Sequence, residues 1–411
     1  MKLFFSVILL IFTYTASLAQ SNSLNYYLDV AKTNSPLLKD LRNQIASNQI
    51  DSMRIKAGLR PQVAVNSAGL YAPVINGYGY SAAITNEHTL NGLLGVNQAI
   101  VGSKNVNEQV LTVSLQTQTF TNTIKISEQD LKKSITAQYI TAYGSLQQYD
   151  FNKEIVDLLA KEDEVLKKLT RANVYRQSDY LSFLVTLKQA QLQLSQSRAQ
   201  YKNDYATLNY LAGVTDTAMI AIAKPDIEKT VKVSPAQSIF FNQFKVDSLK
   251  LINSRRLLDF TYKPKINALA DVGFNSDFTG QEYKNFGLSA GFTLSIPIYD
   301  GGQRKLAYKK LNLQEDTRQN YKTFFDMQYR QQRAQLNQQI TENEALLAQV
   351  TDQMKYIESL IKVDTQLMQT GDLKIADLIL AINNYLAVKN LFTQTTITGL
   401  QLTNQLNYWN K

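Results

Sequence analysis

Few side chains in this sequence are equipped for chemistry. There is no cysteine and only one histidine, His88. Disulfide scaffolds, thiolate metal sites, cysteine nucleophiles and a cysteine lipid anchor are therefore excluded. A Ser-His-Asp mechanism would rest on His88 alone, and a lone histidine near a strand start or loop is ordinarily solvated. No Gly-rich loop followed by Lys and Ser or Thr occurs, so no nucleotide site is indicated. What remains is a pair of carboxylates in matching settings. Asp179 and Asp377 lie 198 residues apart, each just ahead of an apolar helical run. A carboxylate there favours the positive end of a helix. The sequence reads as that of a non-enzyme, with no cofactor and no metal.

The elements that must position these residues are marked by glycine and proline. The prolines are Pro36, Pro61, Pro73, Pro225, Pro235, Pro264 and Pro297, leaving two long proline-free runs, 74–224 and 298–411. Glycines cluster in 58–102 and 273–302. The stretches 104–172 and 303–370 lack breakers, except for Gly144 in the first, and predict two very long helices. In the second, Leu347, Val350, Met354, Ile357, Ile361 and Met368 fall on alternating three- and four-residue steps, interrupted at Asp364. That is a coiled-coil seam. Helices are also expected over 24–57 and 179–212.

The glycine-rich islands alternate with period two. Phe286, Leu288, Ala290, Phe292, Leu294, Ile296 and Ile298 are separated by small or polar residues. Ile266, Ala268, Ala270, Val272 and Phe274 follow the same rule, and Val63, Val65, Leu90, Leu94, Val96 and Ile100 a weaker one. Each island is expected to be a strand pair, about 61–102 and about 264–300. The polar loops joining them contain Asn76-Gly77-Tyr78-Gly79-Tyr80 and Asp277-Phe278-Thr279-Gly280.

The chain is a tandem repeat. Leu208-Asn209-Tyr210 recurs as Leu406-Asn407-Tyr408, and Ile100-Val101 as Ile298-Tyr299, both at the 198-residue step that relates Asp179 to Asp377. The same step relates Asn173 to Gly371. Those are the residue types that best accept the left-handed conformation, so both positions read as tips of helical hairpins. The expected organisation is a first repeat over 20–213, a linker over 214–235 and a second repeat over 236–411.

Residues 1–19 read as a secretory signal. Lys2 is followed by the apolar run Leu3 to Tyr14, and Ser17-Leu18-Ala19 supplies the small residues of a cleavage site ahead of Gln20. The mature chain then works outside the cytoplasm. Its modest positive excess, +9 for the full sequence, is read as solvated helix faces rather than a nucleic-acid footprint. No later stretch holds about 18 consecutive apolar residues, so membrane entry by single helices is not expected. Four strands with one apolar face and open edges are a poor final state. A membrane-spanning sheet must close, and about eight strands is the small limit for one chain. Closure by oligomerisation is therefore implied. Tyr71, Tyr78, Tyr80, Phe274, Tyr283 and Phe286 serve either as interfacial aromatics or as sheet packing.

Taken together, the repeat, the run Ser295-Ile296-Pro297-Ile298-Tyr299-Asp300-Gly301-Gly302, and Gly371 followed by Asp377 resemble the TolC family of outer-membrane efflux proteins. The likeness covers essentially the whole mature chain. In the first repeat, Gly102-Ser103-Lys104 stands where a DGG-like turn is expected and Asn173 replaces a tip glycine. No extended tail is expected after the last helix.

The resemblance implies a fold combining α-helices with transmembrane β-strands. A homotrimer would form a 12-stranded outer-membrane β-barrel continued by a periplasmic α-helical barrel. It implies a duct of a tripartite efflux or type I secretion system, in contact with outer-membrane lipid, a periplasmic adaptor and an inner-membrane pump. Asp377, with Asp179 as its counterpart, would line the periplasmic gate. Asn173, Val174, Tyr175, Gly371, Asp372, Leu373 and Lys374 would dock the adaptor. The competing readings are a periplasmic coiled-coil adaptor or structural envelope protein, and a secreted enzyme.

Overall fold

The computed structural model describes residues 23–81, 88–216, 218–231, 233–234, 237–277, 280 and 282–411. The signal segment, with Gln20, and the loop residues Phe278 and Thr279 lie outside them. The elements run α1 (Leu24–Asn34), α2 (Pro36–Gly58), β1 (Gln62–Tyr71), β2 (His88–Ile100), α3 (Ser103–Arg171), α4 (Gln177–Ala212), α5 (Ile239–Thr261), β3 (Lys265–Ser276), β4 (Phe286–Ser295), α6 (Gln303–Thr370) and α7 (Ile375–Trp409). A short 3-10 turn, Glu282–Lys284, precedes β4.

Two compact units emerge. One comprises 1–39, 124–240 and 324–411; the other comprises 40–123 and 241–323.

The second unit holds the sheet, in the order β1-β2-β3-β4 with every pair antiparallel. Its register explains the sequence pattern. Val65 faces Leu94, Leu94 faces Val272 and Val272 faces Leu288. Val63, Val96, Ala270 and Ala290 form the next such row. Directly paired residues project to the same side, so the apolar positions of all four strands gather on one face. The other face is small or polar apart from Leu70, Leu93 and Leu269; across it Ser289 Oγ donates to Asp271 Oδ2 at 2.7 Å. The apolar face is bare: Leu288 is 82% exposed, Phe292 76% and Val65 76%. Among the described residues neither β1 nor β4 has an outer partner.

Two expected boundaries differ. The alternation runs through Ile298, but β4 ends at Ser295. Pro297 cannot donate a ladder hydrogen bond, which stops the strand. The helix expected over 24–57 is interrupted at Ser35, whose N–H donates to Ala31 O at 2.9 Å while Pro36 starts α2. Proline is pre-organised for a first helical position and unsuited to an interior one. The loop after β1 contains a tight turn in which Ile75 and Tyr78 exchange two backbone hydrogen bonds of 3.0 Å. Asn76 and Gly77 adopt φ of 49° and 81° there, as a two-residue hairpin turn requires.

In the first unit, Tyr27, Ile135, Tyr139, Tyr201, Tyr205 and Leu208 form a buried core around α1, α3 and α4. Tyr27 Oη donates to Tyr205 Oη at 3.3 Å, and the other two tyrosine hydroxyls reach backbone. Tyr139 Oη donates to Ala223 O at 2.7 Å, and Tyr201 Oη donates to Ile220 O. The segment after α4 is thereby strapped down, which answers the demand that buried hydroxyls find partners. The repeated asparagines do parallel work. Asn209 Nδ2 donates to Asp216 O at 2.8 Å, and Asn407 Nδ2 to Glu228 O at 2.7 Å. Helix α7 is long and apolar enough to cross a membrane by length and composition. Its polar side chains nevertheless bond within the unit, as where Asn404 Nδ2 donates to Lys133 O at 2.9 Å.

Gly273 sets the tightest point of the sheet. It has φ of 156°, and a Cβ there would lie 2.2 Å from Gly92 O. Gly287, its partner across β3/β4, has open space at the same position. Gly273→Ala should therefore destabilise the sheet by about 2 kcal/mol or more, whereas Gly287→Ala should be near neutral. Denaturant midpoints of the two variants, read by circular dichroism, check this.

Candidate functional site

The candidate site is the pair of hairpin tips, both within the first unit. Each tip is built from the backbone upward. Helix α3 ends with Val174 N–H donating to Leu169 O at 2.9 Å and Asn173 N–H to Thr170 O at 3.1 Å. Helix α6 ends the same way, with Asp372 N–H to Leu367 O at 3.0 Å and Gly371 N–H to Met368 O at 3.2 Å. These are two Schellman motifs, which need a left-handed residue just beyond the helix. Asn173 and Gly371 supply it, at φ of 61° and 82°. At Gly371 space is also short, since a Cβ would sit 2.9 Å from Val174 Cγ1.

The tips pack against each other. Tyr175 Oη donates to Leu373 O at 2.9 Å and lies 3.4 Å from Met368 O. Tyr175 and Leu373 cover a cluster that includes Leu166, Phe183, Met368, Ile375 and Leu378. Repeat-related residues thus become direct neighbours, and a latch joins the first hairpin to the second. Burial and the nearby Asp372 charge push the Tyr175 hydroxyl pKa up, so the latch hydroxyl keeps its proton at neutral pH.

Asp179 and Asp377 stand in the first turns of α4 and α7. Neither helix has a side-chain N-cap; Arg176 and Lys374 occupy those positions. Both carboxylates therefore sit at uncompensated positive helix ends. Asp377 is exposed and Asp179 half-buried. Asp372 and Lys374 are also exposed, and Asp372 accepts from Thr370 Oγ1 at 2.7 Å. His88 is the first residue of β2, in the second unit. Among the described residues, no group of His, Asp or Glu side chains is placed to hold a metal ion.

Two carboxyls here were not singled out from sequence. Asp364, the interruption of the heptad seam, is 7% exposed within it. Burial, reinforced by the Asp377 charge, raises its pKa above the ordinary carboxylate range. Glu162 on α3 is 6% exposed with Oε2 unpartnered, and burial raises its pKa as well. A polar residue in an apolar seam was the available signal for Asp364; Glu162 lies in a charge-rich stretch that gave none.

The Asp364 shift has a defined sign. In strong acid the carboxyl is protonated folded and unfolded, so it does not bias folding. As pH rises from the unfolded pKa towards the raised folded pKa, only the folded chain holds the proton, and stability falls. Asp364→Asn should therefore melt at a higher temperature than the parent near pH 7, and with it near pH ~3. Tyr175→Phe should loosen the latch by about 1 kcal/mol. That appears as faster amide exchange over 367–378, with α1 and its tyrosine core unchanged.

Comparison with known proteins places this geometry. No protein-family model matches the sequence. No curated protein matches it either. Solved structures do. The outer membrane protein VceC of Vibrio cholerae superposes with a TM-score of 0.74 at 12% identity, over 94% of this chain and 95% of its own. The MtrE outer membrane channel of Neisseria gonorrhoeae, in its open state, gives 0.75 at 12% identity, over 94% and 88%. A membrane protein from Pseudomonas aeruginosa gives 0.75 at 13% identity, over 94% and 90%. Sequence identity is only 12–13%, while the fold agrees across 94% of this chain. The chain has the fold of outer-membrane channels of the TolC family.

Proposed function

We propose that this protein is the outer-membrane duct of a tripartite efflux or type I secretion system. The observation that carries the reading is the bare apolar sheet face with two open edges. In water such a surface is unstable and prone to association. Three copies joined β1 to β4 would remove every edge and turn the apolar face to outer-membrane lipid, as a 12-stranded barrel. The helical hairpins of three chains would continue the barrel as a periplasmic tube. The division into two repeats joined by a linker over 214–235 belongs to the same reading, each repeat supplying two strands and one hairpin per chain.

The tips are the periplasmic end. There Asn173, Val174, Tyr175, Gly371, Asp372, Leu373 and Lys374 meet the adaptor, which links the duct to an inner-membrane pump that supplies the energy. Threefold symmetry gathers three copies of Asp377, backed by Asp179, around the axis as a cation-sensitive gate. The superposed VceC, an outer membrane protein, and MtrE, an outer membrane channel, support the assignment.

Two experiments test it. Phe292→Arg places a cation on the lipid face and should lower the membrane-inserted fraction by about 2–4 kcal/mol, read from outer-membrane fractionation. The purified protein should form cation-preferring channels in planar bilayers. Asp377→Asn should weaken their block by multivalent cations by roughly tenfold, because the ring loses its charge. A parent protein that forms no channels, or stays soluble without detergent, contradicts the proposal and favours a periplasmic adaptor.

A further inference from the structure

A cavity of about 740 Å³ opens in the second unit where β2 runs into α3 and α5 runs into β3. Three lysines, Lys104, Lys263 and Lys265, line it, and no acidic side chain does. None of the three makes an ion pair among the described residues. The nearby carboxylates are committed elsewhere. Glu108 pairs with Arg256 at 3.1 Å, and Asp259 with Arg304 at 3.3 Å, so neither neutralises the cluster. The rest of the wall mixes apolar side chains with the polar Ser103, Asn105, Gln109, Thr261 and Asn267. It includes Phe260, over whose ring Lys263 Nζ lies at 4.3 Å, and the pair Ile100 and Ile266.

Ile100 and Ile266 tie the cavity to the sheet. They face each other in the β2/β3 register and stand on the same side as the exposed apolar row of Val96, Ala270, Leu94 and Val272. An apolar track therefore runs from the bare sheet face along Ile100 and Ile266 to the cavity, whose wall also carries the three lysines, Lys265 reaching it from the opposite face of β3. The pocket lies between the two middle strands, away from β1 and β4, where further copies would join.

We infer that this cavity is a binding site for an anionic glycerophospholipid. The phosphate is held by Lys104, Lys263 and Lys265, and the acyl chains lie along Ile100, Ile266 and the apolar face. Charge complementarity selects an anionic head, and the continuous apolar track selects an amphiphile over a free anion. The site pins the sheet's helical end at the membrane surface. This inference rests on the outer-membrane reading of the sheet.

Native mass spectrometry of the full-length protein in detergent tests it, because one spectrum reports assembly and lipid adducts separately. The probes are short-chain phosphatidylglycerol, short-chain phosphatidylcholine and inorganic phosphate. The expected result is a trimer carrying up to one phosphatidylglycerol per protomer, with weaker phosphatidylcholine adducts and no displacement by phosphate. Combined Lys104→Gln, Lys263→Gln and Lys265→Gln should lower phosphatidylglycerol affinity by roughly a hundredfold. Lys263→Gln alone, the milder variant, should lower it several-fold. Unchanged affinity in both variants overturns the inference while leaving a trimeric channel intact. Full displacement by inorganic phosphate overturns it in favour of a small-anion site. A monomer that needs no detergent overturns the outer-membrane reading and the lipid site with it.

Discussion

The structure depends on a sheet that one chain cannot finish. Four antiparallel strands, in register, place Val65, Leu94, Val272 and Leu288 in one row on one face. That face has nothing over it, and both edge strands lack partners. A buried sheet would hide such residues against helices. In the proposed duct, the burial that stabilises the strands comes from lipid and from other copies of the chain.

The helical part is complete in a way the sheet is not. Each hairpin closes on a Schellman motif, and Tyr175 fastens one tip to the backbone of the other. Tyrosine hydroxyls and asparagine amides then strap the segment after α4 onto the bundle. Those bonds are local, directional and satisfied. Against them stand Asp364 and Glu162, carboxyls kept in the hairpin interior at a cost in stability near neutral pH. Asp364 and Glu162 weaken, near neutral pH, a contact that otherwise rests on the apolar cluster under Tyr175 and Leu373.

Much of this was legible in the sequence, for identifiable reasons. The 198-residue step between Asn173 and Gly371 located both tips, because helix reversal needs a left-handed residue and few types accept one. Period-two alternation from Phe286 to Leu294 located the apolar face, because strand geometry fixes it locally. The end of β4 was misplaced because alternation continues past Pro297, where hydrogen bonding cannot. The Tyr175 latch was not legible at all. It joins residues 198 apart in the chain, and nothing in either local sequence specifies the other. The same holds for the lysine-lined cavity, whose two walls come from α3 and the α5–β3 junction. Local pattern reveals elements; pairings between distant elements need the fold.

The most direct test of the account is imaging of the mature protein extracted from outer membranes with detergent. The account predicts elongated particles with threefold symmetry and well over ~100 Å long, scaled from helices of this length. Compact or monomeric particles that remain soluble without detergent would contradict it.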